Sequence, residues 1–63
     1  MIIGGCQITV CRKCKKDPEY IMRRCPGYYE VILKCCNHRL VSQNLHLQDA
    51  IKTLAEAWNR QNS

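Results

Sequence analysis

Six cysteines and two histidines carry most of the chemistry available to this 63-residue chain. Cys11-Arg-Lys-Cys14 and Cys35-Cys-Asn-His38 form two Cys-x2-(Cys/His) pairs with 20 residues between them. A Cys-x2-Cys turn places two sulfurs on one ion with little backbone strain, and a second such pair completes a tetrahedral shell. The spacing predicts one structural Zn(2+) ion held by Cys11, Cys14, Cys35 and His38. Four protein ligands close the shell and leave no position for a reactive water, which argues against zinc hydrolase chemistry.

The chain has more ligands than one ion needs. Cys6, Cys25 and Cys36 read as small apolar filler, the common role of a free thiol. Cys36 in place of Cys35 leaves only Asn37 before His38, a poor knuckle. Cys25 is the substitute to consider for His38. His46, just ahead of an apolar helix, reads as surface or cap rather than ligand. A second ion or a disulfide framework, with fifteen pairings for six cysteines, stays open at this point. The N-terminus lacks a basic n-region and a long apolar stretch, so no signal peptide is visible. No segment approaches the length of a membrane span. The expectation is a cytoplasmic protein, where thiols stay reduced and cysteine clusters tend to bind metal.

These ligands need elements to position them. Residues 1–10 show a short strand and a Gly4-Gly5 break. Tyr20 to Arg24 and Tyr28 to Lys34 read as strands, the latter rich in aromatic and β-branched residues. Between them Pro26 sets φ and Gly27 supplies φ > 0, so a hairpin carries the chain from the first cysteine pair to the second. Arg39 to Ser42 can add a third strand. The period then changes. Leu47, Ile51, Leu54 and Trp58 form one apolar stripe of an α-helix over about 46–60. Asn44 is the candidate N-cap, and Asp49 and Arg60 suit the helix dipole. The expected fold is a single α+β domain: a small zinc-ribbon-like β-hairpin of two or three strands packed against one C-terminal helix. A chain this short is marginal on core burial alone, so the metal is expected to decide whether it folds.

Gly27-Tyr28-Tyr29 running into Cys35, and the helix end Ala57-Trp58-Asn59-Arg60 after two knuckles, resemble the restriction alleviation protein Lar family, small zinc-ribbon proteins of phages and prophages. The resemblance runs from Cys11 to Arg60. The chain departs from the family's usual Cys-Pro-x-Cys-Gly knuckle, because Arg12-Lys13 fill it and Lys15 follows it. The second knuckle ends in His38 rather than Cys. The resemblance implies a phage-type effector that relieves type I restriction by binding a host protein, such as a restriction–modification complex.

Composition adds a second class. Ten Lys and Arg against five Asp and Glu give a formal charge of +5. Three thiolates and one divalent ion would leave it at +4, so mimicry of DNA is disfavoured. Arg12, Lys13, Lys15 and Lys16 crowd the first knuckle, Arg23 and Arg24 lie in the next strand, and Lys34 and Arg39 flank the second. With Tyr20, Tyr28 and Tyr29 as stacking partners they form a candidate nucleic-acid surface. An enzyme is not expected. Asp17, Glu19, Glu30, Asp49 and Glu56 are scattered, there is no Gly-rich phosphate loop, and so short a chain has little room for a substrate pocket.

Overall fold

A computed structural model describes all residues, Met1–Ser63. Three two-residue turns set its topology. Gly4-Gly5 joins β1 (Ile2–Ile3) to β2 (Cys6–Gln7), Pro26-Gly27 joins β3 (Glu19–Cys25) to β4 (Tyr28–Cys35), and Cys36-Asn37 joins β4 to β5 (His38–Asn44). Each turn needs left-handed backbone. Gly4 and Gly5 take φ of 55° and 80°, Gly27 takes 83°, and Cys36 takes 56° without being glycine. Gly4 is also fixed by crowding, since a Cβ there would meet Ile51 Cδ1 at 3.1 Å.

β3, β4 and β5 form an antiparallel sheet in that order, and β1 and β2 form a separate small ribbon. The third strand therefore exists and is longer than the expected Arg39–Ser42. Helix α1 (Leu47–Gln61) packs across β4 and β5. Side chains alternate along a strand, so Val31 and Leu33 of β4 face the helix. They meet Ala50, Ile51, Leu54, Ala55 and Trp58 in the core, with Ile8 and Cys11 added from the N-terminal segment. Leu47 packs at the edge of this cluster, so the predicted stripe is the inner face of α1.

Ile32 points the other way. It pairs with Ile21 and Val41 in a row across the outer face. Ion-paired or hydrogen-bonded rows flank it. Lys34 reaches Glu19 at 3.2 Å, and Gln43 Nε2 donates to Glu30 at 2.8 Å. The helix begins after His46, which has extended backbone and no side-chain cap bond. Asn44 does not cap it. Its Oδ1 accepts the His46 N–H at 3.1 Å, a local Asx-type turn that brings the chain into the helix. α1 is not long and apolar enough to cross a membrane.

Candidate metal centre

The first knuckle is a tight turn. Lys15 N–H donates to Cys11 O and Cys11 N–H donates to Lys16 O, both at 2.8 Å. Lys15 holds φ at 61°, left-handed backbone immediately after the second cysteine. Glycine is the residue that adopts this at least cost, so a lysine here stores strain that the turn must offset.

The second half of the site comes from the β4–β5 turn. Cys35 pairs directly with His38 across the strands, which leaves Cys36 and Asn37 as the two central residues. Positive φ at the first of them is what a type II′ turn requires. That φ swings Cys36 Sγ towards Cys35 Sγ, 3.8 Å away. In a tetrahedral thiolate shell with bonds of about 2.3 Å, neighbouring sulfurs lie about 3.8 Å apart.

Cys11, Cys14, Cys35 and Cys36 thus come together, with all four sulfurs within 4.8 Å of one another. Four cysteines are positioned to coordinate one metal ion. The first three are the expected ligands. The fourth sulfur belongs to Cys36, whose expected role is apolar filler, and His38 is outside the group. As the cross-strand partner of Cys35, His38 lies on the helix-facing side, where its ring stands 5.3 Å from that of Trp58 at 37°. Cys25 sits at the far end of β3 opposite Tyr28, and Cys6 packs against the core. His46 precedes the helix, exposed. The signal for Cys36 was present in the sequence: two alternating apolar runs separated by two residues mark a tight hairpin rather than a knuckle.

The site is graded from inside to outside. Cys11 is buried, Cys14 and Cys35 are half-buried, and Cys36 is exposed. The thiols share protons unequally. The hydrogen bond from Cys35 and then the Lys16 backbone N–H lower Cys14 to about 7. The same contact with Cys14, followed by burial, pushes Cys35 well above its ordinary value. Cys36 is raised too, first by its contact with Cys14. One anion in the cluster therefore suppresses the next, and only a cation allows all four to ionise together. A set of four thiolates suits a closed, tetrahedral structural site for a thiophilic ion such as zinc.

The end of α1 fixes the segment that leads into the first knuckle. Trp58 is fully buried and its Nε1–H donates to Thr9 O at 3.0 Å. Asn59 grips the same segment with both ends of its amide: Oδ1 accepts the Thr9 N–H at 2.9 Å, and Nδ2 donates to Gln7 O at 2.7 Å. Asn62 Oδ1 accepts the Arg12 N–H at 2.9 Å, inside the knuckle itself, while its Nδ2 donates to Trp58 O. Two asparagine amides thus do for residues 7–12 what a neighbouring strand would do.

All eight basic residues singled out in the sequence are exposed, but they do not form one face. Arg12, Lys13, Lys15 and Lys16 surround the first knuckle, and the cross-strand pair Lys34 and Arg39 joins them at the metal end. Arg23 and Arg24 lie near the opposite tip, where Arg23 approaches Glu30 at 4.0 Å. Of the tyrosines only Tyr20, the cross-strand partner of Leu33, lies near the metal end, and it packs against the core; Tyr28 and Tyr29 begin β4, about 20 Å from Cys35 at a strand rise of about 3.3 Å per residue. No family model, curated protein or solved structure matches the chain.

Proposed function

We propose that this chain is a zinc-folded, phage-type effector that acts by binding a host protein through its basic metal end. The observation that carries the reading is the state of the charges there. Arg12, Lys13, Lys15, Lys16 and Arg39 have no carboxylate within ion-pairing distance, because Asp17 is engaged by the Met1 amino group and Glu19 by Lys34. Four thiolates and one divalent ion change the formal +5 to +3, so the end stays electropositive around a closed metal site. Unpaired cations on a rigid surface favour an acidic partner and speed its encounter. The Lar resemblance supplies the kind of partner, a restriction–modification complex. The reading is tested by plating unmodified phage on a restricting host that expresses the chain. Relief of restriction that disappears in Cys11→Ser supports it, and unchanged restriction counts against it.

The same unpaired cations favour a second reading, contact with nucleic-acid phosphates. Because Tyr28 and Tyr29 lie at the far end and Tyr20 packs against the core, this reading rests on charge without base stacking. Counterion release then limits the dependence on salt: five phosphate contacts give a log–log slope of about −4.5 on duplex DNA. A gel shift insensitive to salt would exclude this mode of binding.

A further inference from the structure

We propose that the cleft between the first knuckle and the C-terminal end of α1 binds a phosphate ester. The cleft has a volume of about 310 Å³ and is lined by Cys11, Arg12, Lys13, His38, Gln61 and Asn62. That is the lower end of the size range of small-molecule sites, room for one nucleotide-sized group rather than a larger cofactor. The inference goes beyond the host-protein reading and deepens the nucleic-acid one by naming where on the basic end a phosphate is held.

The lining defines the ligand. Arg12 and Lys13 offer a guanidinium and an ammonium, neither is ion-paired, and no carboxylate side chain lines the cleft. A guanidinium matches two phosphate oxygens with two parallel donors, and an ammonium adds a point charge. Gln61 offers an amide and His38 an imidazole, which suit hydroxyl and amide groups attached to the phosphate, while the Asn62 amide is committed to Arg12 and Trp58 and shapes the wall. This mixture fits a sugar phosphate better than a bare inorganic anion.

Two features hold the cations in place. The Arg12 backbone is anchored to Asn62, and the knuckle that carries Arg12 and Lys13 is closed by its own two backbone bonds. Both residues lie between Cys11 and Cys14, so a bound metal fixes the loop from either side. The opposing effect is the negative end of the helix dipole, which disfavours an anion. It is blunted at the cleft, because the Asn62 N–H and side-chain amide both donate to Trp58 O. Phosphate binding should therefore require the metal-loaded protein.

The test uses the zinc-loaded chain and its amide NMR spectrum. Adenosine 5′-monophosphate should shift the resonances of Arg12, Lys13, Gln61 and Asn62 saturably, and adenosine should not. A short oligothymidylate compared with the mononucleotide identifies the source, a nucleic-acid strand or a free nucleotide, by which binds more tightly. Arg12→Gln with Lys13→Gln should weaken binding at least tenfold, while Arg23→Gln with Arg24→Gln should leave it unchanged. A dispersed spectrum and full zinc content confirm that each variant is folded. The proposal is overturned if no phosphate-bearing probe gives saturable shifts, or if adenosine matches its monophosphate. It is also overturned if the Arg12/Lys13 variant binds like the parent. Nucleic-acid retardation that survives in that variant but is lost when Lys15, Lys16 and Arg39 are neutralised would remove the cleft and leave the nucleic-acid reading standing.

Discussion

A single dihedral decides the composition of the metal shell. Positive φ at Cys36 turns its sulfur into the cluster, and the register that creates this φ sends His38 to Trp58. The two residues should therefore respond oppositely to substitution. Cobalt-loaded His38→Ala should keep the charge-transfer spectrum of four thiolates, whereas Cys36→Ala should lose thiolate intensity and bind metal more weakly. A His38→Ala variant that loses thiolate intensity would contradict the geometry. Cys14 is distinguished by its acidity. Its folded value of about 7 lies below the reference of 9.0, so the folded metal-free protein favours the thiolate. That contribution to stability is complete above about pH 9 and disappears as pH falls through about 7. Cys35 and Cys36, both raised, hold their protons at neutral pH. Because the metal-free chain is expected to be unfolded, with thiols near their ordinary value of about 8.5, metal must displace the protons of all four ligands, so its apparent affinity should fall up to about 10,000-fold per pH unit on acidification. A competition titration across pH 6–8 reads that slope.

At the scale of elements, the helix end and the first knuckle are one unit. Trp58→Ala should cost about 3–5 kcal/mol through the cavity it leaves in the core, together with loss of the bond to Thr9. Asn59→Ala leaves both the Thr9 N–H and the Gln7 carbonyl without their partner, at about 1–3 kcal/mol for each such group that is shielded from water. Asn59→Asp keeps the acceptor for Thr9 but sets a carboxylate oxygen against the Gln7 carbonyl, so it should rescue only part of the loss. Thermal melts of the zinc-loaded variants measure all three. The helix itself was legible in the sequence, because Leu47, Ile51, Leu54 and Trp58 recur at helical spacing and the structure buries that face. The β3–β4 hairpin was legible for the same kind of reason: Pro26-Gly27 is local turn chemistry between two strand-like runs. The role of Asn59 was not legible. An asparagine near a helix end reads as a terminator, and only the tertiary fold brings residues 7 and 9 within its reach. Ligand spacing alone points to Cys35 and His38, whereas hairpin register over the same four residues points to Cys35 and Cys36.

For the whole molecule, a metal held by the four cysteines would join two parts that share a small core. Only 11 of 63 residues are buried, and Ile8 and Cys11 of that core belong to the segment before β3. Side chains of α1 and Asn62 hold this segment to the helix, and the sulfurs of Cys11 and Cys14 place it against the β4–β5 turn. Removing the metal leaves four thiols that cannot ionise together and so breaks the tie. If residues 1–18 then detach, the 45 residues of sheet and helix must stand alone, close to the size of about 40 below which a domain needs a metal, disulfides or a partner. They would also lose Ile8 from the core cluster that contains Trp58. The remainder should not hold, and chelation should abolish the strand and helix signals in one cooperative step rather than release the N-terminal segment alone. Circular dichroism together with amide NMR dispersion, followed through a chelator titration and zinc add-back, distinguishes these outcomes. Collapse of all resonances together, reversed by zinc, is the expected result. Survival of the β3–β4–β5 resonances after those of residues 1–18 have gone would mean that the sheet and helix carry a sufficient core of their own, and that the metal serves the basic end rather than the fold.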